Sequence, residues 1–232
     1  MRRVIQLVRL VRPVRPVRLV LAALALTFAA LPAAAQSSLL QAPAPATPQP
    51  SESGWSASAE LALYVLPDEA NYLWPTVSAD HDWLHLEARY NYEAKNTASF
   101  WAGVNFEWGE RVSLAVTPMF GVVTGDTDGI APGFLFTLGA GKFELYSEGE
   151  LMLDSGGKED SFYYSWTELS FTPVSWLSVG AAAQKTRAYQ TARYIERGVL
   201  AGTAWKNMSL TGYVFEPFSD KPTVVVAFGI EF

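Results

Sequence analysis

The 232-residue chain has no cysteine and only two histidines. In an exported protein the first absence removes a disulfide framework, thiol nucleophiles and thiolate metal ligands together. The second leaves no third imidazole to complete a site, so neither a metal nor another cofactor is expected. Long hydrophobic runs are also scarce. Leu19–Leu31 has the length of a signal-peptide core, and no other segment approaches the roughly 18 apolar residues of a spanning helix. Basic residues are few beyond the start of the chain. Residues 1–18 hold six arginines (Arg2, Arg3, Arg9, Arg12, Arg15, Arg18) and no acid. With the small-x-small motif Ala33-Ala34-Ala35, this predicts a cleaved signal peptide over 1–35 and export. The whole chain carries 17 Lys+Arg and 23 Asp+Glu; without those six arginines 11 bases face 23 acids, a net charge of about −12. Phosphate contacts need clustered Lys and Arg, so nucleic acid is not an expected partner.

Aromatic residues, by contrast, are plentiful, at 13% with eight Trp. Residues 36–53, rich in Ala, Pro, Ser and Gln, predict a disordered periplasmic lead that cannot bury enough surface to offset its chain entropy. From Gly54 to Phe232 the hydrophobic period is two, which predicts one domain of β-strands. Trp55, Ala57, Ala59, Leu61, Leu63 and Val65 alternate with Ser56, Ser58, Glu60, Ala62 and Tyr64. Similar runs cover Trp83–Tyr92, Ser99–Trp108, Val112–Val123, Ala131–Ala140, Phe143–Leu153, Phe162–Phe171, Leu177–Lys185, Tyr194–Trp205 and Met208–Phe215. Trp74–Asp80 is a weaker strand, because Pro75 removes a ladder donor. It brings the expected count to twelve, and even counts are the rule for single-chain bacterial barrels. Tight links alternate with longer ones, as hairpins of a barrel would.

The last ten residues, Thr223–Phe232, place Val224, Val226, Phe228, Ile230 and Phe232 on one face and Val225, Ala227, Gly229 and Glu231 on the other. An apolar stripe running to a terminal aromatic suits a lipid-facing strand. On these residues the sequence resembles the bacterial outer-membrane β-barrel proteins, small porin-like barrels included. The resemblance implies an all-β, antiparallel transmembrane β-barrel of about 12 strands in the bacterial outer membrane. It also implies that the barrel insertion machinery reads Phe228, Ile230 and Phe232. Trp55, Trp108, Phe143, Phe171, Trp205 and Phe232 predict one aromatic girdle at the turn end, while Tyr92, Phe100 and Tyr163 outline the other.

The inward parity collects Glu60, Glu87, Arg89, Glu107, Glu144, Glu148, Glu150, Glu168 and Glu196. Unpaired in a dry core these charges could not be held, but a wet lumen tolerates them. The expected function is therefore a porin-like channel for small hydrophilic solutes or ions, favouring cations. The alternative is a structural or surface-interaction barrel with a plugged lumen. Lys185, Arg187 and Arg193 form an expected extracellular rim, suited to outer-membrane lipid and lipopolysaccharide phosphates. His81 and His85 lie near Asp80 and Asp82, an arrangement seen in omptin-type outer-membrane proteases. Asp80–Asp82 falls in an expected periplasmic turn, however, and neither histidine has the serine two residues on that outer-membrane phospholipases use, so no enzyme is expected. Oligomeric state is not readable from the sequence.

Overall fold

A computed structural model describes residues 54–158, 160–188 and 194–232, except the side chains of 187 and 188. The expected signal peptide over 1–35, the expected lead over 36–53 and Arg193 lie outside the described residues. Twelve antiparallel strands close into a barrel. They are β1 (Trp55–Val65), β2 (Tyr72–His81), β3 (Leu84–Tyr90) and β4, whose two segments Thr97–Val104 and Phe106–Trp108 flank Asn105. Next come β5 (Val112–Gly125), β6 (Gly129–Ala140), β7 (Phe143–Asp154) and β8 (Phe162–Val174). The last four are β9 (Leu177–Ala188), β10 (Tyr194–Trp205), β11 (Met208–Phe215) and β12 (Thr223–Glu231). Each strand pairs with its sequence neighbours, and β1 closes on β12 from Ser58↔Glu231 to Val65↔Val224. Closure leaves no exposed edge, which a strand needs in a medium without hydrogen-bonding solvent.

Pro75 sits inside β2, opposite Leu61. Its missing donor does little harm because of where it points. The carbonyl of Leu73, on the same edge of the strand, accepts from Asn91 Nδ2, so Pro75 also faces β3. There the β2–β3 ladder has already ended at Thr76↔Arg89, and a proline is tolerated where a ladder stops. At the opposite end of the barrel the turns are short, with Asp82 and Lys206 at positive φ (52° and 56°) as tight hairpins require.

Burial follows the period-two pattern. On β12, Val225 and Ala227 are 2% and 6% exposed, whereas Val226 and Phe228 between and beyond them are 37% and 39%. Leu61, Val77, Phe100, Phe120, Leu169, Val199 and Leu210 are likewise exposed on the outer wall. A water-soluble protein rarely shows so continuous an apolar surface, and lipid is the solvent it fits. Trp55, Trp108, Phe143, Trp205 and Phe232 are exposed at the turn end, with Trp83 and Trp176 beside them in the turns. The second girdle needs a correction. Phe100 and Tyr163 have outward parity, but Tyr92 turns into the lumen. Asn91 adopts φ 61°, a left-handed conformation that asparagine tolerates. The strand ends there, and the alternation no longer governs the following side chain.

Candidate functional site

The inner wall is built from the alternate residues of all twelve strands, and its two halves differ. Towards the turn end it encloses a cavity of about 410 Å³, lined by carboxylates and rings. Glu60 (β1), Glu87 (β3), Glu144 and Glu148 (β7) and Glu168 (β8) contribute the acids; Trp74, Tyr146, Trp166 and Tyr213 are among the rings. Arg89 and His85 supply its basic groups. Glu148 is held by two phenols, Tyr92 and Tyr146 each donating at 2.7 Å, and Glu168 accepts from Trp166 Nε1 at 2.6 Å.

Towards the loop end the lumen is packed. One cluster joins Trp101, Met119, Val123, Ala131 and Met152 inside β4–β7. Trp101 fits because its wall is thinned by glycine: a Cβ on Gly121 would lie 2.5 Å from Trp101 Cδ2. A second cluster, with Tyr64, Trp166, Leu200, Tyr213, Phe215 and Val225, fills the side formed by β8–β12 and β1. Between them, groups from opposing walls meet. Arg89 pairs with Glu87 on its own strand, and its Nη1 donates to Glu150 Oε2 on β7 at 3.2 Å. Its guanidinium lies 4.1 Å from the Tyr92 ring centroid and 4.7 Å from that of Trp101. Tyr92 in turn contacts Trp74 edge-on at 4.1 Å and Tyr164 at 5.5 Å. Trp74 is on β2 and Tyr164 on β8, six strands apart in the ring of twelve, so the chain of rings crosses the lumen.

The remaining candidates are dispersed. Glu150 is 2% exposed and sits against Arg89. Glu107 lies exposed near the turn end of β4, and Glu196 accepts from Gln184 Nε2 at 2.5 Å on the β9–β10 wall. Lys185 faces outward, its Nζ 4.8 Å from the Tyr163 ring centroid; Arg187 lies in β9 with its side chain outside the description. Phe228 and Ile230 belong to the lipid face, and Phe232 N donates to Ala57 O at 2.8 Å, extending the closing seam. His85 Nδ1 is 2.8 Å from Asp80 Oδ1, and its Nε2 lies 3.5 Å from Glu87 Oε2. Asp80 also accepts from Asn105 Nδ2 at 2.7 Å, and Asn105 Oδ1 accepts from Thr117 at 2.6 Å. This polar network ties β2–β5 together. None of the hydrogen bonds of His85 goes to a hydroxyl that it could activate.

No protein-family model and no curated protein matches the sequence. Solved structures do. A KdgM porin aligns with TM-score 0.55 at 12% identity, over 75% of this chain and 99% of that one. A KdgM porin in complex with disordered oligogalacturonate gives TM-score 0.57, again at 12% identity over 75% of this chain and 99% of that one. What the chain shares with these porins is the fold, a closed antiparallel β-barrel. At such identity the likeness concerns architecture, and function has to be argued from this chain's own lumen.

Proposed function

We propose that this protein is a bacterial outer-membrane channel of porin type, passing small hydrophilic solutes or ions with preference for cations, and that it is not an enzyme. The observation that carries the reading is the acidic cavity inside an apolar-walled closed barrel. Five glutamates line it, against one arginine and one histidine. Carboxylates in a confined lumen act on a passing ion more strongly than in bulk water. The same charge argues against an anionic cargo. An oligogalacturonate carries a carboxylate on each residue and would meet repulsion here, so the ligand named for the structural neighbour is not carried over.

Surface and partners follow the same reading. The outward Lys185 and the neighbouring rim suit lipopolysaccharide phosphates, and the Phe228–Phe232 end is the segment offered to the barrel insertion machinery. A plugged structural barrel is the second reading, and the ring chain crossing the loop-end half of the lumen is what favours it. Planar-bilayer recording separates the two. The channel reading expects small conductance steps from purified protein whose folding is shown by heat-modifiable migration. Folded protein without steps at any applied voltage would leave the structural barrel.

A further inference from the structure

We propose that Arg89 and Tyr92 form the gate of this channel, a clasp across the lumen whose release opens the loop-end half; the inference rests on the channel reading above. Three observations converge. The lumen is asymmetric, with a cavity towards the turns and buried rings towards the loops, so resistance to a solute lies in the loop-end half. The groups that span this half adjoin one another: Arg89 reaches Glu150, and Tyr92 reaches Glu148, Trp74 and Tyr164. Tyr92 is also the one member not anchored in a strand. It follows β3, in the link that returns to β4 at Thr97, so it can swing on that link without disturbing a ladder.

The clasp has a chemistry that opening would preserve. When Tyr92 leaves, Glu148 keeps the phenol of Tyr146, and Arg89 keeps Glu87 on its own strand together with the face of Trp101. Departure of Tyr92 therefore leaves Glu148 and Arg89 each with a partner, and Glu150 keeps Arg89, so none of the three loses its last contact. Glu87, Glu148 and Glu150 would outnumber Arg89 along the opened path, so the gate would pass cations in preference to anions. Tyr92 and Arg89 are thus gating and specificity-determining groups rather than mere filling.

The test is single-channel recording of wild type, Tyr92→Ala and Arg89→Gln, each shown folded by heat-modifiable migration. Tyr92→Ala is the safer variant, because Glu148 retains a donor; Arg89→Gln takes the cation away from Glu150 and leaves Glu87 with His85 alone. The expected result is a mean conductance several-fold above wild type in Tyr92→Ala, with cation preference kept. Tyr92→Phe, which keeps the ring but loses the bond to Glu148, should fall between the two. If wild type and all folded variants conduct equally, the gate is refuted while the channel reading stands. If none of the folded proteins conducts, both fail.

Discussion

A strong prediction concerns depth in the membrane. Val199 is 52% exposed on the outer wall, six residues along β10 from the girdle residue Trp205. At a rise of ~3.3 Å per residue and a tilt of ~40°, it lies ~15 Å from the girdle, near the middle of an apolar band ~25 Å tall. Leu61, 43% exposed, stands at the same distance from Trp55 on β1. Arginine at a mid-membrane lipid-facing position costs about 2–4 kcal/mol, which at 1.4 kcal/mol per decade lowers the folding constant by about 25- to 700-fold. Ser113 has inward parity and is exposed at the turn end of β5, so Ser113→Arg should change stability by about 0.5 kcal/mol or less. Asn105 shares that parity but is a poor control, because its amide joins Asp80 to Thr117. Reversible denaturant unfolding in lipid vesicles, followed by tryptophan fluorescence, would measure all three variants. Equal tolerance of Val199→Arg, Leu61→Arg and Ser113→Arg would refute the inside–outside register.

Deletion of Phe232 removes the exchange with Ala57 at the closing seam, Phe232 N to Ala57 O at 2.8 Å and the return bond at 3.4 Å. It should lower the yield of heat-modifiable protein in the outer membrane while leaving export intact, as fractionation and immunoblotting would report. Gly121→Val would force Trp101 off its seat and should cost about 1–3 kcal/mol by overpacking, measured by the same unfolding assay. Glu93, in the link after β3, is 8% exposed, and burial pushes its carboxyl above the ordinary value of 4.5. The folded state therefore holds that proton more tightly than the unfolded one, and stability falls as pH rises from about 4.5 through the higher folded value. Glu93→Gln should remove that loss and stabilise the protein at neutral pH, visible as a flatter stability profile between acid and neutral buffers.

The fold was legible because a barrel repeats a simple rule. Side chains alternate between lipid and lumen, so Val224–Phe232 announces its faces residue by residue. Pro75 weakens one strand at the level of sequence; only the neighbouring ladder shows that its missing donor points past the last β2–β3 pair, Thr76↔Arg89. Tyr92 was misassigned to the outer girdle because parity carries no warning that Asn91 leaves the β region. The acids of the lumen were readable by parity, but their partners were not. Arg89 and Glu150 are 61 positions apart, and their meeting depends on barrel curvature and on the room made by glycines opposite Trp101. Glu148 and Glu150, which sequence alone treats as wall charges like Glu144, turn out to be engaged in bonds across the lumen. Substituting them would disturb the clasp as well as the electrostatics.

The cleanest charges to test are therefore Glu60, Glu144 and Glu168, which line the open cavity without joining the cross-lumen contacts. The reversal potential of the purified channel under a KCl gradient reads the central claim directly. Preference for K⁺ over Cl⁻ is expected, stronger at low salt where screening is weak, and reduced in the Glu60→Gln, Glu144→Gln, Glu168→Gln triple variant. A reversal potential at zero, or one favouring Cl⁻, in the wild-type protein would contradict it.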